Sequence, residues 1–352
     1  MTKPKKSPHI FLDANIVIAA GKPPGGPELD RVKDLVDAGL VRMLTTDLTI
    51  TEVAKKHAQN DFDLIRSICQ PHFRDIVAAA TGAKLPSMKN GELRTVLKER
   101  YEAQTLAMFK ALCAQTLKVD DVKPSAVLDA YSQKTGFFLG EGKKDQFPDA
   151  FLFECLKQIA SKKTPVIIVS ADGDFAGPVK DAEHISLVKS LPALFEALGL
   201  EMAAPEIDAF LDGQNEALVG LINDELTSWG LQSDDVMDTE IDDIVVEGVE
   251  VSKVTAFKPL AEGGSILAIA KAGVRATISY THPNWDEAMW DSEDKIAIPY
   301  DTVSGETEIE LSIDIALSLS VDGDGEIEEI DGLRFRSANF QYVTLYPPDN
   351  YK

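Results

Sequence analysis

Two short apolar runs place the strongest constraint on how this chain can fold. They are residues 9–18, HIFLDANIVI, and residues 164–172, TPVIIVSAD, and we predict a buried strand in each. Further strands are predicted at 41–46 and 184–189, while segments such as 28–40 have apolar residues at helical spacing. Continuous apolar strands that alternate with helices are typical of an α/β domain with a mostly parallel sheet.

Helical patterns fill the intervals between the predicted strands. Thr49 or Thr51 is expected to cap a helix that follows the second strand, and a long amphipathic stretch covers 91–117. Another helix is predicted over about 148–162, where Pro148 fits the first turn because proline has no N–H to leave unpaired. These helices would cover the faces of the sheet.

The charge changes abruptly along the chain. Residues 1–200 hold 27 Lys and Arg against 25 Asp and Glu, whereas residues 201–352 hold 8 against 33, within a total net charge of −23. Residues 201–237 have acidic helical patterns, and from 238 onward apolar and polar residues alternate with period two. We therefore predict an α/β domain over 1–200, an acidic helical connector over 201–237, and an acidic, sandwich-like all-β domain over 238–352.

The cysteines and the N-terminus indicate a cytoplasmic protein. Cys69, Cys113 and Cys155 form no C-x-x-C pair, which argues against a zinc cluster or a disulfide framework. Asp13 and Asn15 interrupt the first apolar run, so it does not fit a signal peptide. No stretch reaches the roughly 20 apolar residues that span a bilayer, and we expect no membrane association.

Four carboxylates are predicted to meet at one edge of the sheet. Asp13 and Asp172 each close a predicted parallel strand. Glu52 lies near the start of the helix after the second strand, and Asp149 lies in the first turn of the helix before the 164–172 strand. Ligands of open α/β sheets bind beyond the carboxyl ends of the strands, where the helix N-termini also point. All four side chains can therefore converge.

A cluster of carboxylates without histidine or cysteine partners suits Mg²⁺ or Mn²⁺. Such ions polarise a phosphodiester and generate hydroxide from bound water, whereas carboxylates without a cation repel one another or take up protons. Asp145 lies about one helical turn before Asp149 and competes with it as the third ligand. Asp174, two residues after Asp172, is a further candidate ligand.

At these residues the sequence resembles the PIN-domain family of metal-dependent ribonucleases. The matching segments are Asp13-Ala14-Asn15, Ile50-Thr51-Glu52-Val53, Pro148-Asp149-Ala150-Phe151 and Ser170-Ala171-Asp172-Gly173-Asp174-Phe175. The resemblance covers about residues 8–200 and implies a three-layer α/β/α domain, single-stranded or loop RNA as substrate, and Mg²⁺ or Mn²⁺ as cofactor. It also implies that Asp13, Glu52, Asp149 and Asp172 are the catalytic residues. Members of the family often pair as dimers, so a homodimer is one assembly open to this chain. The helical insert between Glu52 and Asp149 is longer than in the compact toxin-type members.

Substrate contacts are expected near the carboxylates, because a nuclease needs cations and donors for the phosphate backbone. Lys143 and Lys144, beside Asp145, are the best-placed cations in the sequence. Asn15 and Ser170, within the first and last motifs, are the candidate polar contacts.

The sequence favours a metal-dependent endoribonuclease and leaves one alternative open. In that alternative, a catalytically silent PIN-like scaffold carries an acidic β domain that binds a protein partner. Because it would repel RNA, the acidic half is not expected to hold the substrate. It also fits an internal inhibitor that occupies the basic groove, or a region that only confers solubility. A haloacid-dehalogenase-type phosphatase is disfavoured because Asn15 stands where that chemistry needs a second aspartate. DNA as substrate stays open, as does the setting in RNA turnover, growth arrest by a toxin, or phage defence.

Overall fold

A computed structural model describes most of the chain in two compact units, residues 1–199 and 200–352. The described residues are 7–139, 146–202, 205–260, 264–292 and 295–346. Within them, no helix combines the length and the apolar character needed to cross a bilayer.

The first unit is a five-stranded parallel sheet with helices around it, as predicted. Its strands are β1 (His9–Leu12), β2 (Arg42–Thr46), β3 (Gln115–Leu117), β4 (Val166–Val169) and β5 (Ile185–Val188), in the spatial order β3-β2-β1-β4-β5. Its helices are α1 (Ala14–Ala19), α2 (Pro27–Asp37), α3 (Asp47–Ile65), α4 (Pro71–Thr81), α5 (Asn90–Ala111), α6 (Pro124–Gln133), α7 (Phe147–Ile159), α8 (Ala176–Lys180) and α9 (Leu191–Ala197).

The burial of β1 fits its position as the central strand of this sheet. All four residues of β1 are buried, and it pairs in parallel with both β2 and β4. Because side chains alternate between the faces of a strand, four consecutive buried residues require that both faces be covered. The strand order puts the carboxyl ends of β1 and β4 side by side, which positions the site described below.

Local boundaries differ from the predictions in three places. The run 9–18 is not one strand, because the Asp13 side chain accepts a hydrogen bond from the Ala14 N–H and caps α1. The cap of α3 is Thr46 rather than Thr49 or Thr51, because the chain turns into the helix as soon as β2 ends. The stretch 91–117 ends in the edge strand β3, which pairs with β2 through long-range contacts that helical spacing cannot reveal.

The second unit is built on long antiparallel strands, and the predicted antiparallel β region is confirmed. Its main sheet has the order β13-β12-β9-β8-β6. The strands are β6 (Glu201–Met202), β7 (Gln232–Ser233), β8 (Glu240–Phe257), β9 (Ile266–Pro283), β10 (Met289–Asp291), β11 (Ile296–Ile298), β12 (Thr302–Val321), β13 (Ile327–Phe335) and β14 (Tyr342–Val343). The helices are α10 (Pro205–Asp212) and α11 (Asn215–Trp229).

The segment 201–237, suggested by its sequence as a connector, contributes to the core of this second unit. Leu218, Ile222 and Leu226 lie on one face of α11 and pack in the same buried cluster as the apolar face of the sheet. β6 extends the sheet by pairing with β8. The helices pack there because the alternating strands leave one face of the sheet apolar and in need of cover.

Candidate active site

The adjacent ends of β1 and β4 form the floor of the site. Leu12 stands beside Val169 in the parallel register, and the Asp13 N–H donates to the Val169 carbonyl at 3.0 Å. Asp13 and Ser170 are therefore the first residues beyond the sheet on neighbouring strands. Both are buried, with exposed fractions of 7% and 0%.

Three hydrogen bonds fix the Asp13 carboxylate. It accepts from the Ala14 N–H at 2.7 Å, from Asn15 Nδ2 at 2.8 Å and from Ser170 Oγ at 2.5 Å. Ser170 Oγ in turn accepts from the Asp172 N–H at 3.1 Å and from Asn15 Nδ2 at 3.2 Å. The two motifs are thus joined into one network that holds Asp13 and the Asp172 backbone in register.

A short 3₁₀ turn, Gly173–Phe175, presents the last two acidic residues. The Asp172 side chain caps this turn by accepting from the Asp174 N–H at 2.9 Å. Phe175 is buried and lies edge-on to Phe137, with ring centroids 5.2 Å apart. Phe175 thus anchors the turn to the core, and the Asp172 side chain remains exposed at the surface.

Glu52 reaches the site from the second turn of α3. Although the side chain as a whole is exposed, partial burial of its carboxylate raises its pKa, and the negative charge of Asp13 raises it further. Lys55, one turn later on the same helix, acts in the opposite direction. Burial also raises the pKa of Asp13, against the lowering effect of its hydrogen bonds.

Asp149 carries the strongest electrostatic signal of the site. It lies in the first turn of α7, and its pKa rises to about 7, first through burial and then through the charges of four other carboxylates. Those carboxylates are Asp13, Glu52, Asp172 and Asp174. Because Coulomb interactions weaken with distance and are screened by solvent, these couplings indicate that the four carboxylates lie within electrostatic range of Asp149.

The donor set suits a hard divalent cation. Every candidate donor is a carboxylate oxygen, and a cation would relieve the repulsion that raises the pKa of Asp149. Within the described residues, no three acidic, histidine or cysteine side chains already stand close enough to enclose an ion. Mg²⁺ commonly keeps several waters and takes only one or two protein carboxylates, so a loosely spaced set is compatible with it.

Residues 10–175 match the family model of the PIN domain. This part of the first unit is a PIN domain. The match begins inside β1 and ends at Phe175, so it contains all five described carboxylates of the site and does not reach the second unit. No curated protein and no solved structure matches the chain.

Three of the sequence candidates, Lys143, Lys144 and Asp145, lie outside the described residues of the PIN domain. Asp13, Glu52, Asp172 and Asp174 are near enough to Asp149 for their charges to raise its pKa. Asn15 and Ser170, expected to contact substrate, both donate side-chain hydrogen bonds to Asp13. We propose that both also position the Asp13 carboxylate.

Thr46 is a positioning residue that sequence reasoning missed. Its hydroxyl accepts from the Thr49 N–H at 3.0 Å and so starts the helix that carries Glu52. The signal was present in the sequence, because a hydroxyl residue closes the apolar run 41–46 directly before a helical pattern.

The network around Asp13 gives a first prediction. We expect Ser170→Ala to weaken Mn²⁺ binding by about ten- to a hundredfold, as is usual when a group that orients a metal ligand is removed. The variant loses the donor to Asp13 and the acceptor for the Asp172 N–H together. Calorimetric titration with Mn²⁺ would measure the change.

The matched control is Ser186→Ala, which removes an exposed hydroxyl from β5, the neighbouring strand. It should bind Mn²⁺ as the wild type does. Equal Mn²⁺ affinity for wild type and Ser170→Ala would contradict the positioning role of Ser170.

Proposed function

We propose that the PIN domain of this chain is a metal-dependent endoribonuclease. PIN domains are generally nucleases. The observation that carries the proposal is the raised pKa of Asp149, about 7, which results first from burial and then from the charges of four other carboxylates. Such a cluster is electrostatically unfavourable by itself and favourable around a divalent cation.

Four residues would hold Mg²⁺ or Mn²⁺: Asp13, Glu52, Asp149 and Asp172, with Asp174 beside them. When bound, the ion supplies charge neutralisation at the phosphodiester and a nucleophilic water at neutral pH. Asp13 is the most rigid donor because three hydrogen bonds fix it. Glu52 has solvent access, and this suits it to orient a water at the edge of the site.

Asp149 would couple binding to proton release. With a pKa of about 7 in the absence of a cation, its carboxyl is partly protonated at neutral pH. It must lose that proton before it can act as a ligand. Metal affinity should therefore fall as the pH drops below 7.

The test is cleavage of labelled nucleic acid by the full chain. A linear single-stranded RNA, the same sequence as DNA, and a covalently closed RNA circle would each be incubated with Mn²⁺, Mg²⁺ or EDTA. We expect both RNAs to be cut with a divalent cation and neither in EDTA. The circle has no ends, so its cleavage separates an endonuclease from an exonuclease.

Two outcomes would change the proposal. If the protein cuts DNA and leaves RNA intact, the proposed substrate changes from RNA to DNA, and the proposed metal-dependent hydrolysis is retained. Failure to cut any substrate with either metal would remove the enzymatic proposal and leave a silent scaffold as the better hypothesis.

A further inference from the structure

We propose that residues 66–100 form a binding surface for single-stranded RNA at a distance from the cleaved bond. This helical arm comprises the 3₁₀ turn Arg66–Cys69, α4 and the first half of α5. The inference rests on the proposed RNA substrate and adds where on this chain the strand is held.

The arm has a net positive charge, whereas the chain as a whole has a net negative charge. It holds seven Lys and Arg against three Asp and Glu, a net +4 in a chain of net −23. Most of the affinity of a protein for single-stranded nucleic acid comes from such cations on phosphates. A basic segment inside an acidic chain is complementary to a polyanion.

A polar pocket of about 350 Å³ opens on the arm. It is lined by Arg66, Ser67, Cys69, Gln70 and Asn90. None of these residues is acidic, and Arg66 supplies a guanidinium, the group that best matches phosphate oxygens. The pocket has the size and the donors to take a phosphate of the backbone.

The face of α4 beside this pocket has apolar side chains that remain in solvent. α4 has no buried residue, and Phe73 and Ile76 are 39% and 53% exposed. Phe73 lies in the first turn of α4, three positions after the pocket residue Gln70, which is the N-cap of this helix. Single strands are commonly held by exposed aromatic rings, on which bases stack, together with cations that bind the phosphates.

Other cations of the arm serve the structure and hold this surface rigid. Arg74 Nη1 donates to the Ile68 carbonyl at 2.8 Å, and the Arg94 guanidinium lies 3.6 Å from the centre of the Phe62 ring. Among the described residues, no hydrogen bond or ion pair to another side chain engages the charged groups of Arg66 or Lys84. These two remain available for phosphates.

The distance to the site sets the length of the strand. Glu52 and Ile65 are thirteen positions apart on α3, about 20 Å along the axis, and Arg66 follows directly. That distance corresponds to about six stacked nucleotides. The exposed Lys55 and Lys56 lie on α3 between the two ends.

The test is binding of a fluorescent single-stranded RNA to the full chain in EDTA, which prevents cleavage. We expect Phe73→Ala and Phe73→Leu each to weaken binding of a strand of about twelve nucleotides by about tenfold, because both remove the stacking ring. Arg66→Gln should lower the slope of log affinity against log salt by about 0.7. A strand of about four nucleotides, too short to join the two sites, should bind weakly to every variant.

Lys162→Gln is the charge-matched control, because Lys162 is exposed and lies outside the arm. It should leave the affinity within about twofold, and thermal unfolding should show that all variants are folded. Arm variants that bind RNA as the control does would overturn the inference. So would self-association of the chain that Phe73→Ala abolishes and Phe73→Leu preserves, since that result would make the face a protein contact.

This measurement is independent of catalysis. RNA binding that depends on the arm, in a protein that cuts no RNA, would remove the proposed nuclease function and keep the binding surface. RNA cleavage without any contribution of the arm to binding would keep the proposed nuclease function and remove the binding surface.

Discussion

Asp13→Asn is expected to reduce RNA cleavage by about a thousandfold at neutral pH while the PIN domain stays folded. Asparagine caps helices as well as aspartate does, so the hydrogen bond from the Ala14 N–H that starts α1 can be kept. The variant loses the negative charge that a divalent cation requires. Activity should therefore fall far more than stability.

The rate would be measured with excess enzyme over labelled RNA in Mn²⁺, alongside Asp172→Asn and the control Asp129→Asn. Asp129 is an exposed residue of α6, and its replacement should leave the rate unchanged. Asp172→Asn should behave as Asp13→Asn does, because it also removes a negative charge that the proposed divalent cation requires. If both site variants cut RNA at the wild-type rate, the chemistry takes place elsewhere on the chain.

Asp149→Asn is expected to abolish cleavage and yet to stabilise the metal-free protein at pH 8. The pKa of Asp149 rises from its ordinary 3.8 to about 7 in the folded state, so the folded state holds a proton that the unfolded chain has lost over that interval. Stability therefore falls as pH rises from about 4 to about 7. Asparagine does not ionise, so the variant does not lose this stability. Its free energy of unfolding should exceed that of wild type by about 1–2 kcal/mol at pH 8, after allowance for solvent screening.

Thermal unfolding in EDTA would detect this as a rise of about 2–8 °C at pH 8 that disappears near pH 4, where wild-type Asp149 is itself neutral. Mn²⁺ should raise the unfolding temperature of wild type and have little effect on the variant. Asp129→Asn again serves as the control at both pH values. A variant that is less stable than wild type at pH 8 in EDTA would contradict the repulsion among the carboxylates.

The sequence predicted those parts of the PIN domain that depend on local pattern. Continuous apolar runs located the buried strands β1 and β4, because a strand covered on both faces must be apolar throughout. Pro148 placed Asp149 in the first turn of α7, since proline is favoured where no N–H partner is available. The family resemblance, confirmed by the match over residues 10–175, then added the expected chemistry.

Features that depend on residues distant in the chain were not accessible from the sequence. The pKa of Asp149 is set partly by Asp13 and Glu52, which local pattern around Asp149 does not contain. β3 exists because β2 offers it an edge to pair with, although its residues continue a helical pattern. The helices of segment 201–237 belong to a hydrophobic core because they cover the apolar face of the sheet in the same unit.

Phe62 and Phe73 show most clearly which features the sequence determines and which the tertiary structure decides. Both lie in amphipathic helices, and nothing in their local sequence distinguishes them. Phe62 is 4% exposed because α5 packs against α3, whereas Phe73 is 39% exposed on α4, a helix without a buried residue. Periodicity determines which side of a helix is apolar, but only the tertiary structure decides whether another element covers that side or leaves it free to bind.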